Sequence, residues 1–126
     1  MKILLSIRPE FVESIKTGNK KFEYRKNIFK NTEVNSIVLY ATKPFGKVVG
    51  EFSIEDIIED NPAELWSRTK EYSGITQKYF DEYFQNHTRG FAIKIKKFIE
   101  YKRPLSLQEV DKKIKIAPQS FCYIDM

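Results

Sequence analysis

The sequence predicts an α+β fold, and three observations carry the prediction. Several stretches read as strands: residues 2–7, a short run from Phe22, 35–41, 47–58 and 91–101. Helix starts and stops interrupt them, at Pro9, at Asn61-Pro62 and at Ser106. The two kinds of element do not alternate with the regular rhythm of βαβ units, so the pattern is α+β. A chain of 126 residues suits one domain, 1–126. A domain of this size buries roughly two thirds of its unfolded surface and needs no disulfide staples.

Residues 2–7 form a short buried strand, continuous in apolar character. Pro9 suits the first turn of a helix whose apolar stripe is Phe11, Val12 and Ile15. Gly18 fits the left-handed position that ends such a helix, or lets backbone approach a ligand. In the strand that follows, Phe22 and Tyr24 point one way, Glu23 and Arg25 the other. Lys20 has the parity of the aromatics. It joins Glu23 and Arg25 only if it sits in a turn before the regular strand. Residues 26–34 are a polar loop, and 35–41 a central strand that is apolar on both faces.

The loop Thr42-Lys43-Pro44-Phe45-Gly46-Lys47 places basic charge beside an aromatic. That is the composition of a single-stranded nucleic-acid contact, and equally of a hairpin that tucks Phe45 under itself. Residues 47–58 alternate until Ile57-Ile58 break the period, which suggests a bulge. Asn61-Pro62-Ala63-Glu64 is a helix start, with Leu65 and Trp66 turned inward. A second helix runs from about Thr76 to Gln85, and the stripe of Ile75, Tyr79, Phe80, Tyr83 and Phe84 reads as core. In the longest strand, Lys94 and Lys96 form either a phosphate-tracking stripe or a solvated face, and Lys102-Arg103-Pro104 ends it. Ser106-Leu107-Gln108-Glu109 is a capping box.

Composition excludes several function classes. Hydrophobic residues make up 41% and charged residues 31%, which is globular and far from disorder. The one cysteine, Cys122, has no partner in the chain, which fits a reducing cytoplasm. The one histidine, His87, sits in a polar turn, so neither a Cys/His nucleophile nor a zinc site is expected. No cofactor is implied. No apolar run approaches the roughly 20 residues that span a bilayer. The net charge of +5 favours a polyanionic partner.

The spacing Gly18-x-Lys20-x-x-Glu23-x-Arg25 resembles the signature of the ASCH domain, a member of the PUA-like superfamily. The resemblance takes in Leu4-Leu5-Ser6-Ile7-Arg8-Pro9, the strands at 47–52 and 91–95, and the Pro118-Gln119-Ser120-Phe121 ending. It implies a PUA-like mixed β-barrel with helices over its openings, and a cleft beside Gly18–Arg25 that binds RNA or a nucleoside. Ser6 and Arg8 would line its mouth, with Lys43 and Phe45 as further contacts. Arg25 would offer a rigid fork, Lys20 a mobile charge, and Glu23 an acceptor.

An enzyme is the alternative. Some small ASCH proteins remove the acyl group from N4-acetylcytidine. The resemblance would then make Lys20, Glu23 and Glu71 catalytic, although Glu23 stands where those enzymes carry a threonine. Ribonuclease activity is the other enzymatic reading. With one histidine, it would need a Lys/Glu pair.

Overall fold

The computed structural model describes residues 1–126. Six strands form one mixed sheet: β1 (Lys2–Ile7), β2 (Phe22–Arg25), β3 (Ser36–Ala41), β4 (Lys47–Asp60), β5 (Gly90–Leu105) and β6 (Phe121–Ile124). Their spatial order is β2-β5-β4-β3-β1-β6. Only β1 and β3 pair in parallel, because the chain between them crosses over through helix α1 (Pro9–Lys16) and β2. Helices α2 (Pro62–Thr69) and α3 (Gln77–Tyr83), with a 3₁₀ turn at Lys70–Tyr72 between them, link β4 to β5; α4 (Leu107–Val110) follows β5. The expected α+β class and barrel-like sheet are therefore present. No helix is long and apolar enough to cross a membrane.

Side chains close the gap between the two edge strands. The Arg25 guanidinium donates to the Ser120 hydroxyl at 2.8 Å. The backbone N–H groups of Lys30 and Asn31 donate to the Tyr123 hydroxyl at 3.1 and 3.2 Å.

Alternation explains the packing. Ile3, Leu5 and Ile7 point into the curl with Ile37, Leu39 and Phe52. Leu4 and Val38 point out and pack with Val110 of α4. Two covered faces are why β1 and β3 are continuously apolar. On the far side of the sheet, Phe22, Tyr24 and Ala92 pack beneath Leu65 of α2, Phe80 of α3 and Phe84 at the end of α3. Trp66 belongs to this cluster, its ring 4.9 Å from Phe80. Glu23 pairs with Ile93, so it shares the inner face with that residue.

The helix caps match their sequence signals. Asn61 accepts from the Glu64 N–H at 2.9 Å, Ser106 and Glu109 form the reciprocal box, and Gly18 has φ +86°. Three expectations change. Ile57 and Ile58 are not a bulge: Ile57 packs on the inner cluster and Ile58 on the outer one, and the register breaks lie earlier, between Val48 and Asp56. Strand β5 continues through Pro104 to Leu105, opposite Val48. The closing Phe121–Ile124 segment is a sixth strand, antiparallel to β1. Lys94 lies on a solvated face, 42% exposed and paired with Glu55 at 2.7 Å.

Candidate functional site

The residues after α1 are pinned from two sides. The Lys20 N–H donates to the Ser14 carbonyl at 2.9 Å, and the Lys21 N–H to the Tyr72 carbonyl at 2.8 Å. Lys20 forms an isolated bridge with Ser73 before β2 begins, as convergence with Glu23 requires. Its side chain is only 1% exposed. The ammonium donates to the Ser73 carbonyl at 2.9 Å, lies 3.7 Å from Glu23 Oε1, and sits 5.3 and 5.0 Å from the Phe11 and Tyr24 rings. It is thus a fixed charge, not the mobile one expected. Burial pulls its pKa below the usual lysine value, and the Glu23 carboxylate opposes that.

Gly74 makes this placement possible. Its φ is +68°, and a Cβ there would lie 2.3 Å from Lys20 Cβ. Any side chain would be both strained and in collision.

Glu23, 6% exposed, is held between two cations. Its Oε2 lies 3.5 Å from Arg25 Nη1. The second terminal nitrogen of Arg25 binds Ser120, while its buried Nε has no partner. The Ser6 hydroxyl donates to the Pro118 carbonyl at 2.6 Å, which anchors the segment that carries Ser120. Two cations around one carboxylate leave the floor of the site net positive.

Tyr24 supports this floor from behind. The Thr69 hydroxyl donates to the Leu65 carbonyl at 2.6 Å, which uses its only proton. Tyr24 is therefore the donor in their 2.7 Å bond. Burial pushes the Tyr24 hydroxyl up to about 12.

These groups open into a cleft of about 100 Å³. Ser6, Ile7 and Arg8 form one wall, and Tyr79 and Tyr83 of α3 the other. Two cations rest on the tyrosine faces: Arg8 lies 5.1 Å from the Tyr79 ring centre, and Lys26 4.6 Å from that of Tyr83. Neither forms an ion pair. Burial raises the Tyr83 pKa, and Arg25 works against that.

The structure brings Ser6, Arg8, Lys20, Glu23 and Arg25 together in this cleft. It does not bring Glu71, which is exposed on the 3₁₀ turn and lines separate grooves outside. The acyl-removing reading thereby loses its third group. Lys43 and Phe45 are also outside. Their loop leaves the sheet beside Ile7, but Phe45 is 51% exposed and neither lines the cleft. It is a hairpin turn that does not tuck its aromatic away.

Sequence reasoning missed Tyr79 and Tyr83, which it assigned to core, along with Lys26, Ser73, Gly74 and Ser120 as site residues. The signal lay in the stripe itself. The hydroxyl-bearing pair at 79 and 83 faces the cleft, and the Phe80/Phe84 pair, one residue on, is buried. His87 is exposed, and its ring bonds only the Gln85 carbonyl, at 3.0 Å. No three His, Cys, Asp or Glu side chains gather as a metal-holding group.

A family model for the ASCH domain matches residues 5–120. An "ASCH domain-containing ribonuclease" of Zymomonas mobilis is 27% identical over 107 residues, spanning 85% of this chain and 72% of that protein. The large ribosomal subunit protein uL22 of Ureaplasma parvum is 29% identical over 107 residues, 81% of this chain. The match covers only 34% of that protein's length. The crystal structure of ASCH from Zymomonas mobilis has a TM-score of 0.88 at 26% identity, covering 98% of this chain and 87% of that one.

Proposed function

Because this chain belongs to the ASCH domain family, we propose that it binds RNA in the cleft formed by Lys20, Glu23 and Arg25. One observation carries the reading: a buried carboxylate clamped between a buried lysine and a half-buried arginine, beneath a wall of two tyrosines. Net positive charge attracts the phosphate backbone. The Arg25 fork is preorganised by Glu23 and Ser120, so little side-chain entropy is lost when it meets an acceptor. The tyrosine faces suit stacking of unpaired bases, once Arg8 and Lys26 move from the rings to phosphates. The ribonuclease among the relatives supports RNA as the ligand class. The unpaired Cys122 supports a reducing compartment.

Fluorescence anisotropy with short labelled single-stranded RNAs tests this, at low and moderate salt. Binding should fall steeply with salt. Arg25→Ala and Lys20→Ala should weaken it about tenfold or more. Unchanged affinity in the Arg25→Ala protein would rule the cleft out.

The same relative favours a second reading, in which the bound RNA is cut. Glu23 would take the proton of the RNA 2′-hydroxyl as it attacks the adjacent phosphorus and return it to the 5′-oxygen as the P–O5′ bond breaks, with Lys20 stabilising charge on the phosphate. A gel of the same samples decides it. Cleavage that disappears in the Lys20→Ala protein supports a nuclease, and RNA that stays intact with the unaltered protein restricts the site to binding.

A further inference from the structure

Lys20 and Lys21 are consecutive, yet they serve different depressions. Lys20 lies in the cleft, while Lys21 lines a groove of about 260 Å³ on the outer side of the 3₁₀ turn. There its ammonium sits 4.1 Å from the ring centre of Tyr72, an aromatic left 41% exposed. Arg68 and Lys94 line the same groove, against one carboxylate, Glu71. Arg68 and Lys94 are also tied to Asp60 and Glu55, at 3.6 and 2.7 Å. Both pairs are surface pairs, with cation exposures of 52% and 42%. Such pairs are worth little, so a phosphate can compete for the cations. Lys21 and the nearby Lys70 are in no ion pair.

A third depression borders both the groove and the cleft. It has a volume of about 420 Å³ and shares Tyr72 with the groove and Ile75 with the cleft. A strand leaving the cleft past Ile75 would meet Tyr72 next.

The geometry points to the Lys21–Tyr72 groove as a second nucleotide subsite. A nucleotide flanking the one in the cleft places its base on Tyr72 and its phosphate among Lys21, Arg68 and Lys94. The inference rests on the RNA reading of the cleft and lengthens it to a path around the 3₁₀ turn. Stacking on an exposed aromatic is tolerant of sequence, so this subsite adds affinity for length and little preference for particular bases.

The test compares single-stranded RNAs of about 4 and about 12 nucleotides, which span the usual range of single-strand site sizes. Anisotropy is measured with the unaltered protein, Arg25→Ala, Lys21→Ala, and the Lys21→Ala/Tyr72→Ala double variant. The 2.8 Å bond between residues 21 and 72 is made by backbone atoms and survives these changes. The double variant should bind the short RNA like the unaltered protein and the long RNA roughly tenfold more weakly. Lys21→Ala alone should make the salt slope for the long RNA shallower by about one. Equal binding of the long RNA by the double variant and the unaltered protein overturns the subsite. If Arg25→Ala binds both lengths normally while the double variant loses the long one, the cleft reading fails and the groove stands. If the unaltered protein binds neither RNA, both readings fall.

Discussion

Two segments combine lysine with aromatic residues, and they have opposite fates. In the stretch from Lys20 to Arg25, Lys20 is buried against two rings, a carboxylate and a backbone carbonyl. In the loop from Thr42 to Lys47, Lys43 and Phe45 face solvent; turn bonds at 3.2 and 3.0 Å to the Thr42 and Ala41 carbonyls hold the loop, and the Thr42 N–H ties its start to the Ile7 carbonyl at 3.0 Å. Composition does not separate them. What separates them is whether other elements cover the segment. The first is roofed by α1, the 3₁₀ turn and α3, and the second by nothing. Desolvation then gives the first segment its chemistry, because charges act strongly on one another only where water is excluded.

The sharpest test of this contrast uses two glycines with the same backbone conformation. Gly74 and Gly46 have φ of +68° and +66°, but a Cβ on Gly74 meets Lys20, while one on Gly46 meets only the Tyr40 hydroxyl at 3.6 Å. Gly74→Ala should cost about 3 kcal/mol and Gly46→Ala about 1 kcal/mol in urea denaturation. Equal costs would mean that the packing around Lys20 is looser than described. Next in size is RNA affinity. Lys20→Ala should lose about tenfold or more, while Lys43→Ala should change affinity about twofold or less in the same titration.

A pH test follows. Folding lowers the Lys20 pKa below its ordinary 10.5, so between those values the unfolded chain binds the extra proton. Stability therefore rises with pH across that window, with a slope no steeper than about 1.4 kcal/mol per pH unit. RNA affinity falls across the same window as the ammonium is lost. Side-chain NMR of Lys20 should show a midpoint below 10.5. A midpoint at or above it would contradict the burial. The smallest effects should come from Tyr24→Phe, about 1 kcal/mol from the lost bond to Thr69, and from Phe45→Ala, within about 0.5 kcal/mol.

Much of the fold was legible because it rests on local rules. Alternation marked the strands, and Asn61 and Ser106 announced the helices they cap. Within the site, Ser6, Arg8, Glu23 and Arg25 followed from strand position and from the resemblance. The rest depends on contacts distant in sequence. Nothing near Lys20 says that Gly74 lies against it, and nothing near Phe121 says that four residues will pair with β1. Tyr79 and Tyr83 were read as core because periodicity places residues on a helix face without showing where that face ends. Ile57-Ile58 misled for the opposite reason: two covered faces imitate a broken period.

The seam between β2 and β6 has a consequence for how the protein matures. Arg25 and Ser120 are 95 residues apart, and Ser6 and Pro118 are 112 apart. Contacts this distant cannot form until nearly the whole chain has been made. During synthesis, Lys20, Glu23 and Arg25 leave the ribosome long before the serine that steadies the arginine. A nascent chain therefore carries a cleft whose arginine is not yet steadied, and the Ser120 bond is made only when the closing segment docks.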